Sequence, residues 1–398
     1  MEKKNVLFVI PSLSAGGGEK SLINLLSQID FSSYNVDLCM FKMNGIFVNS
    51  IPSNVNVLSL ADDYEVFFNR FTKSMITFLK RQQFNLFFCR IMFTILNRMI
   101  KNNSVSEQYT WKYVSRAIKS LDKEYDVAIG YLEKSSIYFV VDKVIAKKKI
   151  GWIHTNYSDS GMDKNFDAPY FDQLNFIVTV SEQCAKSLNE NIDGLKNKTK
   201  VIYNIVSPKV INRLAENRVI DFRFDKGFTH ICTIGRLSEE KGIDLAINAC
   251  KLLVNKGYRI KWIVLGEGDS RIKLQKLIDG NGLCAHFKLL GNKENPYPYL
   301  KQSDIYVQPS RYEGKSIALD EAKILGKPIV VTNFETAKDQ IQNEMTGLIV
   351  DMNEEGLTLG IEKIINSHGL KETFVSNLNM QNLGTEEEVN KLYHLINE

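Results

Sequence analysis

Apolar runs that end in glycine or proline loops alternate with helical stretches twice along these 398 residues, and no other feature restricts the fold as much. In the first half the strand-like runs are Val6 to Ile10, Val36 to Phe41, Asp126 to Tyr131, Lys149 to His154 and Phe176 to Val180. In the second half they are Thr229 to Ile234, Lys261 to Leu265, His286 to Leu290, Asp304 to Gln308, Pro328 to Thr332 and Thr346 to Val350. Apolar strands separated by helices predict parallel sheets covered on both faces, so the expected class is α/β with two Rossmann-like, doubly wound domains. The length also exceeds that of a usual single domain. The expected domains are 1–204 and 205–382, divided in the polar stretch Asn204 to Gly227, with a helix in 383–398 returning to the first.

Composition excludes several classes. With 44% hydrophobic and 24% charged residues the chain is an ordinary globular one without low-complexity tracts. A net charge of +4 is too small to imply a nucleic-acid partner by itself. The six cysteines are scattered and form no C-x-x-C pair, which predicts reduced thiols and a cytoplasmic setting. The apolar run at the amino terminus is short and passes into a proline and glycine loop, so it reads as a first strand, not a signal peptide.

The segment from Pro309 to Glu321 carries the most chemistry. It follows a buried strand, turns at Gly314 and becomes helical from Ser316, so it lies at the carboxyl edge of a parallel sheet, where such folds bind ligands. The amides of Lys315, Ser316 and Ile317 are expected as open donors of a helix N-terminus, suited to a diphosphate. Glu321, further into the helix, could chelate ribose hydroxyls, and Glu313 in the loop could reach a hexose. Gly314-Lys315-Ser316 resembles the tail of a P-loop, but Pro309 stands where that motif opens with glycine, which argues against a nucleoside triphosphatase.

Four further places support a sugar-nucleotide site. Arg236 and Lys241 stand five apart in the loop after Thr229 to Ile234, where two cations could neutralise a leaving diphosphate. Gly16 and Gly17 follow the first strand and allow close backbone approach to a ligand. Gly266, and Gly291 with Asn292, end two strands of the second domain as candidate walls for a nucleobase. His154 ends a strand of the first domain. The remaining histidines have no metal-ligand spacing, so no metal or cofactor is expected.

Taken together, Gly16 to Glu19, His154, Gly235-Arg236 with Glu240-Lys241-Gly242, and Glu313 with Glu321 resemble the group 1 retaining glycosyltransferases, also called glycosyltransferase family four. The resemblance covers nearly the whole chain and is strongest over residues 229 to 350. It implies the GT-B fold, two Rossmann-like domains facing each other across a cleft. The implied reaction is metal-independent transfer, with retention, of a hexose or N-acetylhexosamine from a nucleotide diphosphate sugar, a UDP-sugar being favoured. Arg236 and Lys241 would then hold the diphosphate, Glu321 the ribose and Glu313 the hexose. The amides of 315–317, Gly16, Gly17 and His154 would complete the donor site. Two departures from the family pattern are Lys315-Ser316-Ile317, in place of Phe-Gly-Leu, and Asn204-Ile205, in place of Asn-Gly. An epimerase on the same architecture and a non-catalytic partner subunit are the alternatives.

Residues 66–120 lie outside the family pattern. Arg70, Lys73, Lys80, Arg81, Arg90 and Arg98 interleave there with phenylalanines, and Glu107 is the single acid in the stretch. Charges interrupt each apolar run well short of a membrane span, so the expectation is peripheral contact with an anionic membrane at its cytoplasmic face, as would suit a lipid-linked saccharide acceptor. The alternative is a helical cover for the first sheet. No nucleic-acid motif accompanies the charge.

Overall fold

The structure, a computed structural model, describes residues 3–14, 16–60 and 62–398. They form two compact units, one built on residues 3–14, 18–203 and 388–398, the other on residues 16–17 and 204–387. The first unit holds a parallel sheet of β1 (Lys4–Ile10), β2 (Tyr34–Met40), β3 (Asn56–Ser59), β4 (Tyr125–Gly130), β5 (Ala146–Ile153), β6 (Phe176–Thr179) and β7 (Thr199–Val201), in the order β3-β2-β1-β4-β5-β6-β7. The second holds β8 (Thr229–Ile234), β9 (Ile260–Leu265), β10 (Phe287–Leu289), β11 (Ile305–Gln308), β12 (Ile329–Thr332) and β13 (Leu348–Val350), ordered β10-β9-β8-β11-β12-β13.

Both sheets reverse their winding beside their first strand, between β1 and β4 and between β8 and β11. Loops leaving two adjacent strands there diverge to opposite sides and open a crevice at the carboxyl edge. The central strands are apolar throughout because helices cover both faces, as Val6 through Ile10 and Ile305 through Val307 show by being buried. The two strands that the sequence pattern does not show, β3 and β7, are edge strands of four and three residues with no fully buried position. Short, half-exposed strands have neither the length nor the alternation that periodicity detects.

The segment after β3 folds as four helices, α2 (Asp62–Phe68), α3 (Phe71–Lys80), α4 (Phe84–Met99) and α5 (Asn103–Val114); the helix Gly17–Leu26 before them is α1. Part of this cluster is core. Phe67 and Phe78 are fully buried with Trp111 and Phe139 in the core of the first unit, each such side chain contributing roughly 1.5–3 kcal/mol. Arg90 is also buried, its guanidinium 5.3 to 5.7 Å from the ring centres of Phe67, Phe71 and Phe93 and bonded to Thr94 Oγ1 at 2.6 Å. This corrects the reading of Arg90 as a surface base: it is a cation packed among aromatic rings. The remaining face of α3 and α4 is exposed.

The helix Val389–Asn397 belongs to the first unit. Leu392 on it is fully buried, the Tyr393 ring stacks on Tyr34 at 5.1 Å, and Lys4 Nζ donates to Asn397 Oδ1 at 2.9 Å.

Candidate active site

Two loops of the second unit, leaving the adjacent strands β8 and β11, are fastened to each other. Gly242, at φ +61°, lies so close to the second loop that a Cβ there would come within 2.0 Å of the Pro309 carbonyl oxygen, so only glycine satisfies both the conformation and the space. Arg311 completes the joint. Its amide donates to the Glu240 carbonyl at 2.7 Å, and its guanidinium forks onto both Asp244 oxygens at 2.9 and 2.7 Å. Neither Gln308, Arg311 nor Asp244 was among the residues singled out by motif; the visible signal was a polar residue closing an apolar strand and a base beside Tyr312.

The joint brings Lys241 onto Glu313. The ammonium lies 2.7 Å from Oε1 and 2.6 Å from Oε2, and both side chains are largely enclosed. Oε1 also accepts from Gln308 Nε2 and Ser310 Oγ, each at 2.7 Å. Arg236 stands at the rim, exposed, with a loose 3.4 Å pairing to Glu240. Burial would raise the Glu240 carboxyl, but the Ser238 hydroxyl and the nearby Arg236 and Lys241 charges outweigh it and hold it below the usual range. The glycine turns after β8, β9 and β10 lie side by side: a Cβ on Gly266 would meet the Gly235 carbonyl oxygen at 1.9 Å, and the Gly266 amide donates to the Gly291 carbonyl at 2.9 Å. Asn292, next in line, is exposed.

The helix Ile317–Ile324 is capped by Ser316, whose hydroxyl accepts from the Leu319 amide at 3.3 Å. Its N-terminus differs from expectation. The Ser316 amide donates to Gln340 Oε1 at 2.8 Å, and Gln340 Nε2 returns a bond to the Ser316 carbonyl at 2.8 Å, so this amide is a structural donor, not an open one. The Ile317 side chain is buried against Val206, Ile211 and Tyr297. Lys315 is mostly enclosed, 4.0 Å from Asp320. Glu321 is buried, with Oε1 accepting from the Tyr297 hydroxyl at 3.0 Å.

Gly17 begins α1 with open space where a Cβ would stand. Gly16 is partly exposed. The close approach is at Gly18, where a Cβ would lie 2.5 Å from Leu132 and 3.6 Å from the His154 ring. That ring packs against Tyr131 and Trp152, and its Nε2 is buried with no hydrogen-bond partner among the described residues. Burial drives the imidazole down to about 3, against a hydrogen bond to the Tyr131 backbone that acts the other way, so the ring is neutral at physiological pH.

Residues 216–379 match the family model described as glycosyl transferases group 1. Over these residues the chain is similar to the group 1 glycosyl transferases. A Methanocaldococcus jannaschii protein named as an uncharacterized glycosyltransferase is 31% identical over 175 residues, 43% of this chain and 43% of its own length. A Staphylococcus aureus poly(ribitol-phosphate) alpha-N-acetylglucosaminyltransferase is 28% identical over 257 residues, 61% of this chain and 49% of its own. The chain thus spans about half the length of the curated relatives it matches. Among solved structures, a variant of S. aureus TarM in complex with fondaparinux, alpha-GlcNAc-glycerol and UDP superposes with a TM-score of 0.68 at 17% identity, over 99% of this chain and 100% of that one. Anabaena Alr3699/HepE in complex with UDP-glucose gives 0.68 at 15% identity, over 99% of each. That likeness is one of fold, and the fold is GT-B. Within the matched residues lie Arg236, Lys241, Glu313 and Glu321, whereas Gly16, Gly17 and His154 lie outside them.

His154 supplies a prediction on stability. Its proton affinity falls on folding, so the unfolded chain binds a proton first and stability declines as pH drops from about 6.5 toward 3, by at most about 1.4 kcal/mol per pH unit. His154→Gln should flatten that slope in urea unfolding followed by tryptophan fluorescence, and equal slopes for the two proteins would contradict an imidazole held neutral.

Proposed function

We propose that the chain is a retaining, metal-independent glycosyltransferase that moves a hexose or N-acetylhexosamine from a UDP-sugar to a lipid-linked saccharide acceptor in polysaccharide biosynthesis. The observation that carries this reading is the Lys241–Glu313 contact, held by two clamped loops at the winding reversal of a sheet that lies in the residues similar to group 1 glycosyl transferases. The bond from the anomeric carbon to the diphosphate breaks, the electron pair leaves on UDP, and the acceptor hydroxyl oxygen takes its place while its proton passes to the departing diphosphate. The charge that develops on the diphosphate needs cations already in position, which Lys241 and Arg236 supply without a metal. Glu313 would accept from a hydroxyl of the sugar, Glu321 from the ribose, and the amides of Lys315 and Ile317 would face the donor. His154, Gly16 and Gly17 are proposed substrate-binding residues. UDP is proposed on the strength of the TarM and HepE complexes, and polysaccharide biosynthesis on that of relatives such as a capsular polysaccharide biosynthesis glycosyltransferase of S. aureus.

The first unit supports a lipid-linked acceptor and contact with an anionic membrane. Phe84, Phe88, Ile95 and Met99 are exposed along α4, at 65%, 58%, 44% and 72%, and Ile76 and Leu79 are exposed on α3. The bases Lys73, Lys80 and Arg98 are exposed on the same two helices, and no acid occurs from Val66 to Ser106. Exposed apolar side chains beside exposed positive charge fit the headgroup region of an anionic bilayer. No helix among the described residues is long and apolar enough to cross a membrane.

Two measurements test these readings. Arg236→Ala and Lys241→Ala should each lower the rate of UDP release from the donor on the order of a hundredfold, as loss of a transition-state charge partner does; near-normal turnover in either would refute its role. Replacing Lys73, Lys80 and Arg98 by glutamine should weaken binding to phosphatidylglycerol vesicles in sedimentation, most at low salt, and unaltered binding would leave α3 and α4 as helix surface.

A further inference from the structure

Gln308 closes β11 and is 3% exposed, yet its carboxamide is fully engaged. Its Oε1 accepts from the Tyr306 hydroxyl at 2.9 Å and the Ser316 hydroxyl at 2.8 Å. Its Nε2 donates to Glu313 Oε1 at 2.7 Å. The orientation of this amide has one solution, because an ionised carboxylate only accepts and the NH2 end must therefore face Glu313. A single buried side chain thus ties together the end of a core strand, the cap of the helix Ile317–Ile324 and the carboxylate that contacts Lys241.

The consequence for Glu313 is an asymmetry. Oε1 accepts from Lys241, Gln308 and Ser310, whereas among the described residues Oε2 accepts from Lys241 alone. A carboxylate oxygen has room for about two strong donors, so Oε1 is filled and Oε2 retains acceptor capacity. We propose that Gln308 is a positioning residue for glycosyl transfer: it fixes the Glu313 carboxylate so that Oε2 is turned to the donor sugar, and it registers that carboxylate against the Ser316 cap. Lys315-Ser316-Ile317 gains a reason in this arrangement. Gln308 and Ser316 are two halves of one hydrogen bond, and a glycine at 316 would leave the Gln308 carbonyl with the Tyr306 hydroxyl as its single partner among the described residues. The inference rests on the glycosyl-transfer reading of the site.

The test uses the full chain and release of UDP from UDP-glucose or UDP-N-acetylglucosamine, whichever the wild type turns over. Gln308→Leu keeps the volume and loses the donor; kcat should fall on the order of tenfold to a hundredfold, the range for a hydrogen bond to a charged group, with KM for the donor and calorimetric UDP affinity within about twofold of wild type. Gln308→Glu gives a signature that loss of packing would not. At neutral pH it sets a second carboxylate against Glu313 and is inactive, but as pH falls its protonated carboxyl regains a donor, so the ratio of its activity to that of wild type rises. If Glu313→Gln turns over as fast as wild type, the site reading falls and this inference with it. If Glu313→Gln is inactive while Gln308→Leu retains wild-type kcat, or the Gln308→Glu ratio does not rise with acidity, the positioning role alone is overturned.

Discussion

The contact between Lys241 and Glu313 depends on a backbone constraint before it depends on charge. The Gly242 Cα sits where any side chain would strike the Pro309 carbonyl, and Arg311 bonds across the same gap to Glu240 and Asp244. These links set the loop after β8 against the loop after β11 with little freedom. An ammonium and a carboxylate on flexible exposed loops would contribute about 1 kcal/mol or less to each other. Enclosed, clamped and met by two further donors, the same pair has a defined geometry, and a site that must act on a developing charge needs that definition more than it needs net affinity.

Topology explains why the charges arise from these strands. In the order β10-β9-β8-β11-β12-β13, β8 and β11 are neighbours although 70 residues lie between them, and the winding reverses there. Arg236 and Lys241 leave one strand, Glu313 and the helix bearing Glu321 leave the other. The first unit's sheet repeats the plan, with Gly18 after β1 and Tyr131 after β4, while His154 follows β5. Its arrangement is more apolar, and burial suppresses the charge of its imidazole where the second unit pairs its ions.

Much of this was legible in the sequence because buried parallel strands are continuous apolar runs and their carboxyl ends carry glycine and proline. What escaped has identifiable causes. The edge strands Asn56–Ser59 and Thr199–Val201 are too short and too exposed to show a period. Arg90 counts as a surface base in any charge tally, yet it lies among Phe67, Phe71 and Phe93, because helical spacing cannot say which face of a four-helix cluster turns inward. Ser316 reads as an open helix N-terminus because nothing local reveals Gln340, which arrives from twenty-four residues away to take its amide. Gln308 is invisible for the same reason: its value lies in Tyr306, Glu313 and Ser316 at once, and a strand-end glutamine carries no motif.

The central claim is that Lys241 and Glu313 act as one unit on the donor, and a double-mutant cycle measures that directly. Lys241→Met, Glu313→Gln and the pair together, compared by kcat/KM for the donor, should give a double variant little worse than the poorer single one, a coupling of about 0.5–3 kcal/mol as expected for residues in contact. Strictly additive losses would contradict the account, because they would show two side chains that touch in the structure and act on the substrate independently.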